Sequence, residues 1–522
     1  MPRLPHGEVF SLEEFREVRQ KLADSSAQTP MGFAVLASPA DTQDFGFLFP
    51  ELQDDPDNLL PERRATRNAL VDLGLAMRDT GDVAGGGNIG IPSAYTYFGQ
   101  FVDHDITLEA TSASLPELLD PDLVPLSLAQ IETDIRNTRT AMLELDSVYG
   151  ELAPRVGARM KVGKVTDLGN LGVPFRRPPG KGDNNDLPRE PRSSDPKLDR
   201  AAQIGDPRND ENLIVAQMHV AFLKAHNELV DRGANAEGAR RRLRRHYQHI
   251  VLHDFLRRIA NTDIVDDILR HGNRIFPEDE FFMPLEFSAA AYRFGHSMIR
   301  QDYDFNVNFL PTSLDLLFTF TALSGQLGDQ SLGESDTLPE NWIIQWEHFV
   351  DVGEPFNHAR AIDTRLVEPL FELKSLQGQP LPGERKSLAV RNLLRGYLLR
   401  LPTGQAVARR LRRRLEGVRE IEVLGANQIK NGVDARQARI LENAGFLDRT
   451  PLWYYILAEA AILTEGRKLG PVGSTIVAEV LIGLLRRSRD SILDVTDWHP
   501  TLHGETPGEF TLSDLLRFAG VL

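Results

Sequence analysis

Cysteine is absent from all 522 residues. That excludes disulfides, thiolate-ligated haem, cysteine-ligated iron–sulfur clusters and a cysteine nucleophile. It leaves the compartment open, because an exported protein can lack disulfides. Long apolar runs are missing too. The most apolar late stretch, Ile476 to Leu485, contains Glu479 and is too short to span a bilayer. Met1 to Gly7 has no apolar signal core behind it, so no signal peptide is expected. The expectation is a cytoplasmic protein by default, or one exported by a non-classical route, with no membrane anchor. Basic residues are outnumbered, 59 Lys and Arg against 75 Asp and Glu, for a net charge of −16, which argues against a nucleic-acid binder. Gly81 to Gly90 is glycine-rich, but no Gly-Lys-Ser/Thr follows it, so it is not a phosphate cradle.

What is present is the composition of a soluble globular protein, 41% apolar and 26% charged. Strand patterns are sparse and no internal repeat stands out, so the chain reads as mainly α with long loops. Ser11 and Glu14 have capping-box spacing at the head of an amphipathic stretch, Ser11 to Val18. Residues 1 to 45 otherwise look like an extension lying on the main body. Helices are expected over Thr66–Met77, from Ser127 towards Tyr149, after Asn212 through Leu229, and over Arg241–Ile259. Two more, joined at Gly470-Pro471, lie between Trp453 and Arg486. The arginine runs 240–245 and 409–414 carry leucine within them and read as solvated helix faces.

The stretch Tyr95 to Thr107 carries the densest chemistry. Phe98, Phe101 and Val102 form an apolar stripe at helical spacing, with Gln100, Asp103 and His104 beside it. Asp105 lies a further ~100° around the same helix. A histidine between two carboxylates is either a catalytic group or a satisfied core histidine. Thr140, Glu144 and Asp146 place oxygens on alternate positions around Met142, a spacing that suits either a hard cation or an exposed turn. Gly157 to Pro207 is a long Gly/Pro/Asn/Asp-rich loop ending at Arg208 and Glu211, whose spacing also allows a local ion pair. Ala289, Ala290, Ala291 and Gly295 give the Phe287–Ile299 segment, expected as one helix, a small-residue face that ends at His296. Asn392 and Arg395 stand three apart on a further helical stretch, Ser387–Leu399.

Six of these segments, in this order, resemble the animal-type haem peroxidases of the peroxidase–cyclooxygenase superfamily, and its bacterial members most. They are Phe98–Asp105, Asp146–Gly150, Arg208–Asn227, Tyr292–His296, Leu388–Gly396 and Pro451–Tyr455. The resemblance runs from about residue 45 to about residue 500. It implies an extension over 1–45 and one haem peroxidase domain over 46–522. It further implies haem b, with His296 as iron ligand, Asn392 bonded to that imidazole, and Arg293 and Arg395 on the propionates. His104 corresponds to the distal acid–base, Arg208 to the charge stabiliser, and Gln100 to a residue ordering a distal water or anion. Asp103 and Glu211 match the two carboxylates that become esters to haem. Asn212 stands where some members carry a haem-bonded methionine, so a sulfonium link is not expected and efficient chloride oxidation is in doubt. One calcium ion is implied at Asp105, Thr140, the Met142 carbonyl, Glu144 and Asp146.

The function implied is reduction of hydrogen peroxide with oxidation of small donors, whether phenols, thiocyanate, iodide or bromide. Two alternatives stand beside it: a fatty-acid oxygenase of the same superfamily, and a non-catalytic adhesion protein on this scaffold. The oxygenases have a radical-forming tyrosine three residues before the proximal histidine. Here that position is Arg293, and Tyr292 lies one residue earlier.

Overall fold

The computed structural model describes residues 10–11, 13–14, 43–81, 87–112, 117–150, 153–169, 175–277, 281–322, 335–375 and 378–522. The principal helices are α1 (Arg64–Ala76), α2 (Ala94–Ile106), α3 (Leu128–Asp134), α4 (Leu213–Asp231) and α5 (Ala236–His249). They continue with α6 (Leu388–Leu398), α7 (Gly404–Arg414), α8 (Leu452–Thr464) and α9 (Pro471–Arg487). The fold is mainly α, as the sparse strand patterns imply. Its largest sheet has five short strands: β1 (Phe10–Ser11), β2 (Gln43–Gly46), β3 (Glu109–Thr111), β4 (Ile135–Asn137) and β5 (Met283–Pro284). Their order is β1-β3-β4-β2-β5.

The aromatic stripe of α2 sets the centre of the molecule. Phe98, Phe101 and Val102 are fully buried. Phe101 stacks on Phe222 of α4 with centroids 4.5 Å apart, and Phe98 meets Tyr247 of α5 edge-on. Gly99 lets this packing close up, since a Cβ there would stand 3.0 Å from the ring of Phe255. Burying each such aromatic contributes roughly 1.5–3 kcal/mol. The α5 helix runs on through a π turn, Ile250–Phe255, into Leu256–Ile259. Its inner stripe, Tyr247, Ile250, Val251 and Leu256, is buried throughout. Glu459 of α8 is fully buried and accepts the amides of Val472 and Gly473 at the head of α9, which satisfies two of that helix's open donors.

Three expectations need correction. The stretch after Ser127 is not one helix: it is helical to Asp134 and again over Asp146–Tyr149, because Ile135–Asn137 leaves the helix to pair with β2 and β3. The segment before His296 is not one helix. A single turn, Leu285–Ser288, ends where Ala290 adopts φ −136° and ψ −73°, and a 3-10 stretch, Ala291–Met298, follows. The arginine run on α5 is not wholly solvated either. Arg244 is buried and pairs with Glu144 at 2.7 Å, since two buried charges are tolerable only together. The run on α7 does present Arg412, Arg413 and Arg414 to solvent.

The Ser11–Glu14 capping box forms in both directions, and β1 pairs with β3. The rest of that amphipathic stretch, like Gly85 to Gly86 in the glycine-rich loop, lies outside the described residues. Among the described residues no helix is long and apolar enough to cross a membrane.

Candidate active site

One cleft gathers Gln100, Asp103, His104, Glu109, Arg208, Glu211, Tyr292, Arg293 and His296. The helix α2 supplies the first three on the flank of its buried stripe. A short 3-10 turn, Pro207–Asp210, supplies Arg208, and Glu211 follows it just before α4. The second wall is the 3-10 stretch carrying Arg293 and His296, backed by α6. Trp453 of α8 donates from its indole to the Arg293 carbonyl at 3.2 Å, which fastens that wall from behind.

His104 is buried, and its Nδ1 lies 2.8 Å from Asn209 Oδ1. The Asn209 amide nitrogen lies 3.0 Å from Nδ1 of His219. With the oxygen of Asn209 on Nδ1–H, the other ring nitrogen of His104 keeps its lone pair. That Nε2 stands 3.7 Å from Glu211 Oε1, both side chains being 5% exposed. Burial first, and then the Arg208 charge, hold His104 below the ordinary histidine value. Both effects favour its neutral form. Neither Asn209 nor His219 stood out in the sequence.

Arg208 is held from several sides. Its side chain donates to Asp206 at 2.8 and 3.1 Å, and to the carbonyls of His104 and Thr107. Its Nη1 lies 4.0 Å from Asp103. Asp206 also takes Arg139. Burial opposes its charge, yet Arg208 and Arg139 hold its carboxyl far below the usual range.

On the other wall Asn392 Nδ2 lies 2.9 Å from His296 Nδ1, while Arg293 donates to Asn392 Oδ1 at 2.6 Å. Arg395 pairs with Glu109. Burial holds Arg293 below the ordinary arginine value, with Asp103 opposing, and brings Arg395 down to about 10. Arg293 lines the cleft and Arg395 stands beside it on Glu109; guanidiniums so placed suit a bound group that carries carboxylates.

Asp105 points away from the cleft. It is fully buried and accepts the amides of Leu145 at 3.1 Å and Ser147 at 3.4 Å. Burial, and then the charge of Asp146, push it up to about 8. Thr140 donates to Asp146 at 2.6 Å, and the Met142 carbonyl accepts the Glu144 amide. Glu144 gives one oxygen to Arg244, while its Oε1 is buried without a partner. Among the described residues no three His, Asp or Glu side chains converge as a ready metal cluster.

Residues 127–320 match the model of the animal haem peroxidase family. The fold is also that of peroxidase A from Dictyostelium discoideum, at a TM-score of 0.54 and 17% identity over 88% of this chain and 89% of that one. Over residues 127–320 the chain is thus similar to the animal haem peroxidases. A peroxidase-like protein of Margaritifera margaritifera is 26% identical over 262 residues, 40% of this chain but only 32% of that protein. The chain thus spans about a third of that relative. A fatty acid alpha-dioxygenase of Oryza sativa aligns at a TM-score of 0.49 and 13% identity, over 80% of this chain and 72% of that one. None of these three relatives is bacterial. The family match takes in Arg208, Glu211, Arg293, His296 and the 140–146 loop, whereas α2 with His104 lies outside it.

Proposed function

We propose that this animal haem peroxidase relative is an active peroxidase, reducing hydrogen peroxide and oxidising small donors such as phenols, thiocyanate, iodide or bromide. One observation carries the reading: a neutral histidine and an anchored arginine share a cleft with a second histidine that an asparagine backs. When bound, haem b supplies the redox chemistry. His296 would hold it through Nε2, which needs Nδ1–H donated to the Asn392 oxygen. Arg293 and Arg395 would meet the propionates. Asp103 and Glu211, both on the cleft wall, would become its ester links.

The chain's own groups do the rest. His104 Nε2 takes the proton of one peroxide oxygen and returns it to the other as the O–O bond breaks. Arg208 stabilises the negative charge developing on the departing oxygen. With two electrons and two protons delivered, each peroxide yields two waters. A calcium ion would be held by Asp105, Thr140, the Met142 carbonyl, Glu144 and Asp146 once these side chains draw together; the buried, unpartnered Glu144 oxygen supports that reading. The ion would brace α2 directly behind His104.

Against the oxygenase reading, Arg293 occupies the position three before His296 and is engaged with Asn392. The test is an optical spectrum of haem-reconstituted protein, then acid–acetone extraction and a peroxide titration. Rapid reaction with peroxide, with haem retained on the denatured chain after turnover, is expected. Haem protein inert to peroxide would sink the proposal.

A further inference from the structure

The amide of Gln100 can face the cleft in two ways, one offering a donor and the other an acceptor. A chain of contacts starting from the backbone settles which. The amide N–H of Val215 donates to Asn212 Oδ1 at 2.9 Å, so the oxygen of Asn212 is committed as the cap of α4. Its nitrogen must then point elsewhere, and it donates to Gln100 Oε1 at 2.9 Å. The oxygen of Gln100 is thereby committed too. What remains is Gln100 Nε2, which donates to Glu211 Oε1, the same oxygen that lies 3.7 Å from His104 Nε2. Nε2 carries two N–H groups, and one carboxylate oxygen takes only one of them.

We infer that Asn212 is a positioning residue: it holds the Gln100 amide so that its remaining N–H faces the cleft beside His104, where the proposed peroxidase function puts a water or small anion. The inference rests on the reading of this cleft as a haem and peroxide site. Serine, threonine or aspartate would cap α4 about as well. Asparagine alone among the good caps carries an amide donor beside the capping oxygen, and here that donor is used. Asn212 is buried, 1% exposed, so no water competes for the contact. An aspartate at this position would keep the cap but could only accept. Gln100 Oε1 would then face a carboxylate, and its Nε2 would be drawn away from Glu211 and the cleft towards the new acceptor.

The experiment titrates haem-reconstituted full-length protein with fluoride at fixed pH, following the optical spectrum. Gln100→Leu and Asn212→Asp are each expected to weaken fluoride by about tenfold or more, the size of one hydrogen bond to a charged partner. Combining them separates orientation from the added charge. In the Gln100→Leu background, Asn212→Asp should then cost less than about twofold. Wild-type affinity in Asn212→Asp, or full additivity in the double variant, would overturn the inference.

A second readout does not need haem. In the haem-free protein, Asn212→Asp should shift the side-chain amide resonances of Gln100. If haem fails to bind yet those shifts appear, the peroxidase reading falls and the orientation stands. If haem and fluoride bind but Gln100 is indifferent to Asn212, the orientation falls alone.

Discussion

At the residue scale the Asn392 amide faces two neighbours that ask for opposite things. Arg293 claims its oxygen at 2.6 Å and leaves its nitrogen towards His296. A histidine that binds iron through Nε2 needs the oxygen instead. Haem binding should therefore free Arg293 to a propionate and turn the amide over. Asn392→Ala is expected to weaken haem by about 10–100-fold, the usual cost of losing the partner behind a metal-bound histidine, as measured by haem titration. Unchanged affinity would place the imidazole's support elsewhere. On the opposite wall His104→Ala should slow reaction with peroxide by ~10²–10⁴-fold while haem still binds. A stopped-flow rate equal to wild type would remove His104 from the chemistry. His104, Arg208, His296 and Asn392 were legible because each sits in a local motif. Asn209, His219 and Glu109 were not, because their roles arise only when distant segments meet.

At the scale of elements, α5 does two jobs that its arginine-rich sequence hides. Arg244 reaches the 140–146 loop, and His246 docks the chain's end. His246 Nε2 accepts the amides of Thr501 at 3.0 Å and Leu502 at 3.1 Å, while Nδ1 lies 2.7 Å from the Arg242 carbonyl. Phe510 and Trp498 pack edge-on to the ring. Burial brings this histidine down to about 4, since a proton on Nε2 would displace both amides. A depressed folded-state value means the contribution is complete above the ordinary value of 6.5 and is lost as pH falls through about 4. The loss amounts to roughly 3 kcal/mol. Hydrogen exchange at pH 7 and pH 4 should show the amides of 498–510 opening first on acidification. Equal protection at both pH values would refute the linkage. The helical period revealed α5 but not this contact. Nor could it reveal the break at Ala290, because runs of alanine favour a helix until packing forbids one.

At the scale of the whole molecule, the buried acid behind α2 couples stability to the distal wall. Asp105 adjoins His104 in sequence yet faces the opposite way, towards Asp146 and the loop that Arg244 secures. Without a cation it must stay protonated or face a second carboxylate in the core. Its folded-state value of about 8 is raised, so its contribution is complete in acid and is lost as pH rises through about 8. A calcium ion at the proposed site would reverse that preference, because both carboxylates would then serve as ligands. Chelation should therefore lower the melting temperature more at pH 9 than at pH 6, and calcium should restore it. The optical spectrum of the haem protein should change over the same chelator range, since α2 carries both Asp105 and His104. If chelation lowers the melting temperature equally at both pH values, Asp105 is not the group that responds. If it lowers neither and metal analysis finds no calcium, the loop is not a calcium site, and Glu144 and Arg244 are only a buried ion pair.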